Sequence, residues 1–226
     1  MSVTVLLADD QALLRTGFRM ILDAEDGITV VGEAVNGRDA VDQAARLVPD
    51  VVLMDVRMPV LDGVEATRRL IDAGSTSRVL ILTTFDIDEY AFAALRAGAS
   101  GFLLKDVPPS ELVAGIRAVA SGDAVVSPRI TRQLLDRYAH QLPSSEPPQT
   151  PRPAHPDLEK LTERELGVLL ELASGSSNAE IATALFVTEA TVKSHVTRIL
   201  AKLGLRDRVQ AVVFAYEAGL VRTGPG

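Results

Sequence analysis

Five short apolar runs punctuate the N-terminal half of the chain: Val3–Ala8, Thr29–Gly32, Val51–Met54, Val79–Thr83 and Gly101–Leu104. They are rich in Val, Leu and Ile and almost free of polar interruption, the pattern of strands covered on both faces. Between them, apolar residues recur at helical spacing. One set is Leu13, Leu14, Phe18, Ile21 and Leu22; a second is Ala40, Val41, Ala44, Ala45 and Val48; a third is Leu112, Val113, Ile116, Val119 and Ala120. A fourth helix is expected over Asp88–Arg96. Five strand–helix units in succession predict an α/β fold, a doubly wound five-stranded parallel sheet with helices on both faces.

The alternation fades after Val126. Ser127 and Pro128 predict a helix start, with Ile130, Leu134, Leu135 and Tyr138 along one side as far as His140. A proline-rich, polar stretch from Leu142 to Pro156 then reads as an extended, mobile linker. From Leu158 onward the pattern is helical. Thr162 with Glu165 forms a capping box, and Gly175 lies just past the end of that helix near Ala173. Asn178 is read as the cap of a short helix ending near Leu185. Thr188 caps the next, Glu189–Leu203, which stops at Gly204, and a last helix runs from Asp207 to Ala218. The expected domains are residues 1–122, a linker over 123–157, and a separate all-α four-helix domain over 158–226.

Charge sharpens this division. The net charge is −7, but residues 1–126 carry 11 Lys and Arg against 19 Asp and Glu, whereas residues 158–226 carry eight of each. The acidity therefore belongs to the first domain, and any nucleic-acid affinity of the second must come from local placement. There is no cysteine, which excludes disulfides and thiolate metal sites and fits a cytoplasmic location. No apolar stretch is long enough to span a bilayer, so no membrane partner is expected.

The polar residues at the strand ends carry the chemistry. Asp9 and Asp10 follow the first run, Asp55 the third, Thr83 closes the fourth, and Lys105 follows the fifth. Open parallel sheets bind ligands beyond the carboxyl ends of their strands, so these residues converge on one edge. Three carboxylates together repel unless a cation joins them, and oxygen ligands suit Mg²⁺. A lysine and a hydroxyl beside them can hold phosphoryl oxygens, and an Asp carboxylate can accept a phosphoryl group.

Leu6-Leu-Ala-Asp-Asp10, Met54-Asp-Val-Arg-Met-Pro59 with Asp62-Gly63, Leu82-Thr-Thr84 and Gly98-Ala-Ser-Gly-Phe-Leu-Leu-Lys105 resemble the receiver domain of bacterial response regulators. The resemblance implies a flavodoxin-like sheet of order 2-1-3-4-5. It implies Asp55 as phosphoacceptor, and Asp10, Asp55 and the backbone carbonyl of Arg57 as Mg²⁺ ligands, with Asp9 acting indirectly. It implies Thr83 as switch hydroxyl, Lys105 as phosphate partner and Phe102 at the switch aromatic, here without a hydroxyl. Thr84 and Phe85 are expected to influence the lifetime of the phosphate.

The segments Leu161-Thr-Glu-Arg-Glu165, Ser177-Asn-Ala-Glu-Ile-Ala182 and Thr188 to Gly204 resemble the LuxR-type helix-turn-helix. Together the halves are similar to the NarL/FixJ class. Val192, Val196, Ile199, Leu200 and Leu203 form an apolar stripe, and Lys193, Ser194, Thr197, Arg198 and Ala201 lie opposite it, a face suited to the major groove of double-stranded DNA. The resemblance implies base contacts at Lys193, Ser194 and Thr197; Thr188, Thr191, His195 and Arg198 are expected at phosphates. The connection Phe186-Val-Thr188 lacks the glycine often found in such turns.

The expected function is a phosphorylation-controlled transcriptional regulator. It would accept its phosphoryl group from a sensor histidine kinase and form a homodimer on DNA when phosphorylated. The resemblance also implies that the unphosphorylated receiver can cover the recognition helix. Beyond Mg-dependent self-phosphorylation and slow dephosphorylation, no enzyme activity is expected. Two alternatives compete. One is a regulator of the same architecture controlled by a ligand or partner protein without phosphorylation. The other is a phosphatase with an Asp nucleophile, which needs a second carboxylate two residues after Asp55, where Arg57 stands.

Overall fold

The computed structural model describes residues 2–83, 89–122 and 155–221. The chain divides into two compact units at Val125/Val126. The helix expected to begin at Pro128, most of the proline-rich stretch, and Thr84, Phe85 and Asp88 lie outside the described residues.

The first unit runs β1 (Val3–Ala8), α1 (Ala12–Asp23), β2 (Ile28–Ala34), α2 (Gly37–Leu47), β3 (Val51–Asp55), α3 (Gly63–Asp72), β4 (Arg78–Thr83), α4 (Glu89–Arg96), β5 (Gly101–Leu104) and α5 (Pro109–Ser121). All pairings are parallel and the sheet order is β2-β1-β3-β4-β5. The strands are apolar because both faces are covered. Val5, Leu7, Leu53, Leu80 and Leu82 pack with Phe18 and Leu22 of α1 and Leu112, Ile116 and Val119 of α5. Leu6, Val52, Met54 and Ile81 alternate onto the opposite face and are equally buried. Each such side chain contributes roughly 1.5–3 kcal/mol.

Three features depart from the sequence pattern. β2 extends through Glu33, a charge that breaks the apolar run but is paired with Arg15 and Arg19 of α1. Leu13 is 84% exposed, because the helical period turns it away from the face shared by Phe18 and Leu22. Val48 leaves the helical face altogether, as the left-handed C-cap of α2.

The second unit contains a 3-10 helix (Pro156–Lys160), α6 (Glu163–Ala173), α7 (Asn178–Ala184), α8 (Glu189–Leu203) and α9 (Arg208–Glu217). The 3-10 helix takes in Pro156 and Asp157, which the sequence pattern assigned to the linker. His155 caps the 3-10 helix through Asp157 N, and its ring meets Phe214 edge-on at 5.1 Å. The core is made by Val168, Leu169 and Leu172 of α6, Ile181 of α7, Val192 and Ile199 of α8, and Val209, Val212 and Tyr216 of α9. Capping boxes open α6 at Thr162 and α7 at Ser177. Ser177 thus replaces Asn178 as the cap; the Asn178 side chain instead accepts a hydrogen bond from Arg208 at 2.7 Å. Among the described residues, no helix is long and apolar enough to cross a membrane.

Candidate functional site

The carboxyl edge of the sheet gathers the polar residues that follow the strands. Carboxylate oxygens of Asp9, Asp10 and Asp55 lie within 4.8 Å of one another. Asp9 and Asp55 are buried and Asp10 is exposed. Lys105 joins them: its Nζ is 2.7 Å from Asp9 Oδ2 and 2.8 Å from Asp55 Oδ2, with its side chain only 7% exposed.

The electrostatics follow from this burial. Loss of water pushes the Asp55 carboxyl up, with help from the Asp9 charge, and the hydrogen bond and charge of Lys105 only partly offset it. Burial disfavours the Lys105 ammonium, but its bonds to Asp55 and Asp9 outweigh that and hold its pKa above the ordinary lysine value. The lysine stays charged and keeps both carboxylates close to it. These oxygen donors and their negative charge form a cluster able to hold a metal ion.

Several contacts that sequence reasoning did not foresee hold the geometry. Gln11 N donates to Asp9 Oδ1 at 2.8 Å, and the Arg15 guanidinium donates to the Asp9 carbonyl at 2.7 Å. Gly63 passes so close to Asp55 that a Cβ there would lie 2.1 Å from the Asp55 carbonyl oxygen. Its N–H bonds Val56 O at 2.8 Å, and Asp62 caps α3 behind it. Just before, Leu61 N donates to Pro59 O across Val60, whose φ of 68 marks a tight turn in the left-handed region. The Arg57 backbone N–H hydrogen-bonds the Asp55 carboxylate, and its guanidinium lies 4.9 Å from the centre of the Tyr90 ring. The Asp-Gly pair was a visible signal for the close approach at Asp55; Tyr90 and Arg15 carried none.

Thr83 and Phe102 are both buried. Thr83 pairs with Leu104 and Ile81 with Phe102, so Thr83 and Phe102 lie on the same face of the sheet. Lys105 N donates to Thr83 O at 2.7 Å, tying the ends of β4 and β5.

In the second unit, α8 shows a divided surface. Lys193, Ser194, Thr197, Arg198 and Ala201 are exposed, while Val192 and Ile199 are buried. The rest of the expected apolar stripe, Val196, Leu200 and Leu203, is only half-buried. Thr188 caps α8, its Oγ1 accepting from Thr191 N at 3.2 Å and lying 2.9 Å from Thr191 Oγ1. The Thr197 hydroxyl donates to Lys193 O at 3.0 Å. Thr191 and His195 are half-buried, unlike the others expected at DNA, and the Nδ1 of His195 is inaccessible, so only the other edge of its ring can face outward.

The response regulator receiver domain family matches residues 5–117, and the luxR family of bacterial regulatory proteins matches residues 159–215. The chain belongs to the LuxR-type response regulators. This response regulator is 44% identical to the transcriptional regulatory protein YxjL of Bacillus subtilis (strain 168), over 97% of this chain and 98% of that one. It is 38% identical to the transcriptional regulatory protein LiaR of the same organism, over 97% and 99%. Its fold is similar to that of the response regulator ChrA of a heme-sensing two-component system, with TM-score 0.52 and 38% identity over 97% of this chain and 99% of that one. The first unit of this response regulator is thus its receiver, and α7 and α8 are the helix-turn-helix of a DNA-binding transcriptional regulator.

Proposed function

We propose that this response regulator is switched by transfer of a phosphoryl group to Asp55 and then acts on double-stranded DNA through α8. The observation that carries the reading is the single ammonium of Lys105 shared by Asp9 and Asp55 beside the exposed carboxylate of Asp10. An oxygen of Asp55 attacks phosphorus in line, the bond from phosphorus to the donor breaks, and an acyl phosphate results. Lys105 is placed to move from the carboxylates to a phosphoryl oxygen. Mg²⁺, held by Asp10 and Asp55 with the Arg57 carbonyl and with Asp9 behind them, would supply charge neutralisation for the incoming phosphate. The donor is a phosphohistidine of a sensor kinase, a partner that the receiver family supports.

The new charge at Asp55 draws the Thr83 hydroxyl, and Phe102, on the same face, repacks with it. The output is a homodimer that sets two copies of α8 on paired half-sites. Lys193, Ser194 and Thr197 read bases, and Thr188, Thr191, Arg198 and the outer edge of His195 meet phosphates. DNA as target places the work in the cytoplasm. The protein is not a turnover enzyme on this reading: the position two residues beyond Asp55 is Arg57, which lies against Tyr90 and offers no general acid.

Intact mass after incubation with Mg²⁺ and acetyl phosphate, beside Asp55→Asn, tests the reading. Gain of one phosphoryl group by the wild type alone is expected. Equal masses for both proteins, with acetyl phosphate and again with the phosphorylated kinase, would reject Asp55 as acceptor.

A further inference from the structure

Phe186 is 95% exposed and adopts φ 55, a left-handed conformation ordinarily left to glycine. It stands at the exit of α7. Its N–H donates to Thr183 O at 3.3 Å, and the N–H of Val187 donates to Ala182 O at 2.9 Å, which together make a Schellman motif with Phe186 at the left-handed position. At the ends of α5 and α8 the chain places glycine there, Gly122 at φ 88 and Gly204 at φ 66. Here it places a large ring that gains no cover from the domain. The Arg164 guanidinium donates to the carbonyl of Leu185, so the turn that displays the ring is held at both sides.

The place of this turn indicates what meets the ring. Phe186 lies two residues before Thr188, the cap of α8. In a helix-turn-helix the first helix crosses the DNA backbone and the start of the second enters the major groove. The turn between them therefore borders the groove wall, where deoxyribose carbons and thymine methyl groups present apolar surface. We propose that Phe186 is a DNA-contacting residue that packs its ring on this apolar edge, extending the polar face of α8 with a contact independent of charge. The proposal rests on the reading of α8 as the recognition helix.

The test uses full-length protein phosphorylated with acetyl phosphate and a labelled duplex selected by that protein from a random-sequence pool. Phe186→Gly and Phe186→Asn both tolerate the left-handed backbone, so neither loses the fold. Each is expected to bind roughly three- to tenfold more weakly, with thermal unfolding unchanged or raised and with the same slope of log K against log salt. Phe186→Tyr restores binding. Lys193→Ala, in contrast, weakens binding and reduces the salt slope by about one. Wild-type affinity in both Phe186 variants, with Lys193→Ala impaired, overturns the proposal alone; wild-type affinity in Lys193→Ala as well overturns the reading of α8. Unchanged DNA affinity with reduced reporter transcription also overturns the proposal, and assigns the ring to a protein partner.

Discussion

Glu165 ties the first helix of the DNA-binding domain to the recognition helix, and its replacement by glutamine isolates the value of that tie. The residue is 3% exposed. One oxygen, Oε2, accepts from Thr162 N at 2.8 Å, from Thr162 Oγ1 at 3.0 Å and from Lys202 Nζ at 2.6 Å. Glutamine keeps the shape and one neutral acceptor but loses the charge. The bonds from Thr162 then fall to neutral strength, the Lys202 bond keeps only one charged partner, and the ammonium, on a side chain 36% exposed, recovers part of its hydration. The expected cost is about 2 kcal/mol, or roughly 8–16 °C in the unfolding midpoint of a domain this small.

The pH dependence has a definite sign. The Lys202 hydrogen bond, followed by that of the Thr162 backbone, holds the Glu165 carboxyl down at about 2, against an ordinary value of 4.5. A depressed carboxylate stabilises the fold above its unfolded pKa and loses that contribution as pH falls through its folded pKa. The wild type and Glu165→Gln should therefore differ most at neutral pH and converge as pH drops from 4.5 toward 2. Scanning calorimetry of the full chain reads this directly, with the receiver transition as internal reference. A Glu165→Gln midpoint within about 2 °C of wild type at neutral pH, or a gap that does not close in acid, would refute the reasoning.

Three further outcomes follow from the same geometry. Gly63→Ala puts a Cβ 2.1 Å from the Asp55 carbonyl oxygen, so the receiver should lose at least about 3 kcal/mol in denaturant unfolding while the DNA-binding domain is unaffected. Lys105→Met leaves Asp9 and Asp55 facing each other without their shared ammonium. The receiver should lose about 3 kcal/mol at neutral pH, with the gap narrowing in acid as a carboxyl takes up a proton, and phosphorylation by acetyl phosphate should fall sharply in mass spectra. Thr188→Ala removes the cap of α8 and should cost about 1 kcal/mol in thermal unfolding, whereas Thr188→Ser should retain most of it.

The order of strands and helices, the receiver and helix-turn-helix division, and the residues at the strand ends were legible from sequence because burial on both faces leaves uninterrupted apolar runs, with chemistry only where they stop. The cap at Thr162 was legible for a related reason, since a capping box is a local pattern of four residues. Tertiary structure decided what no local pattern encodes. Lys202 lies 37 positions from Glu165 and meets it only when α8 packs on α6. Glu33 belongs to β2 because Arg15 and Arg19 of another element neutralise it. Leu13 was assigned its face by periodicity alone and His195 was expected at phosphates, but the packing of neighbouring helices decides how deeply each is buried. Most of all, the shift of the Asp55 carboxyl and the charge of Lys105 arise from burial and from charged partners 46 or more positions apart in the chain. Sequence names the groups; only their enclosure together sets their chemistry.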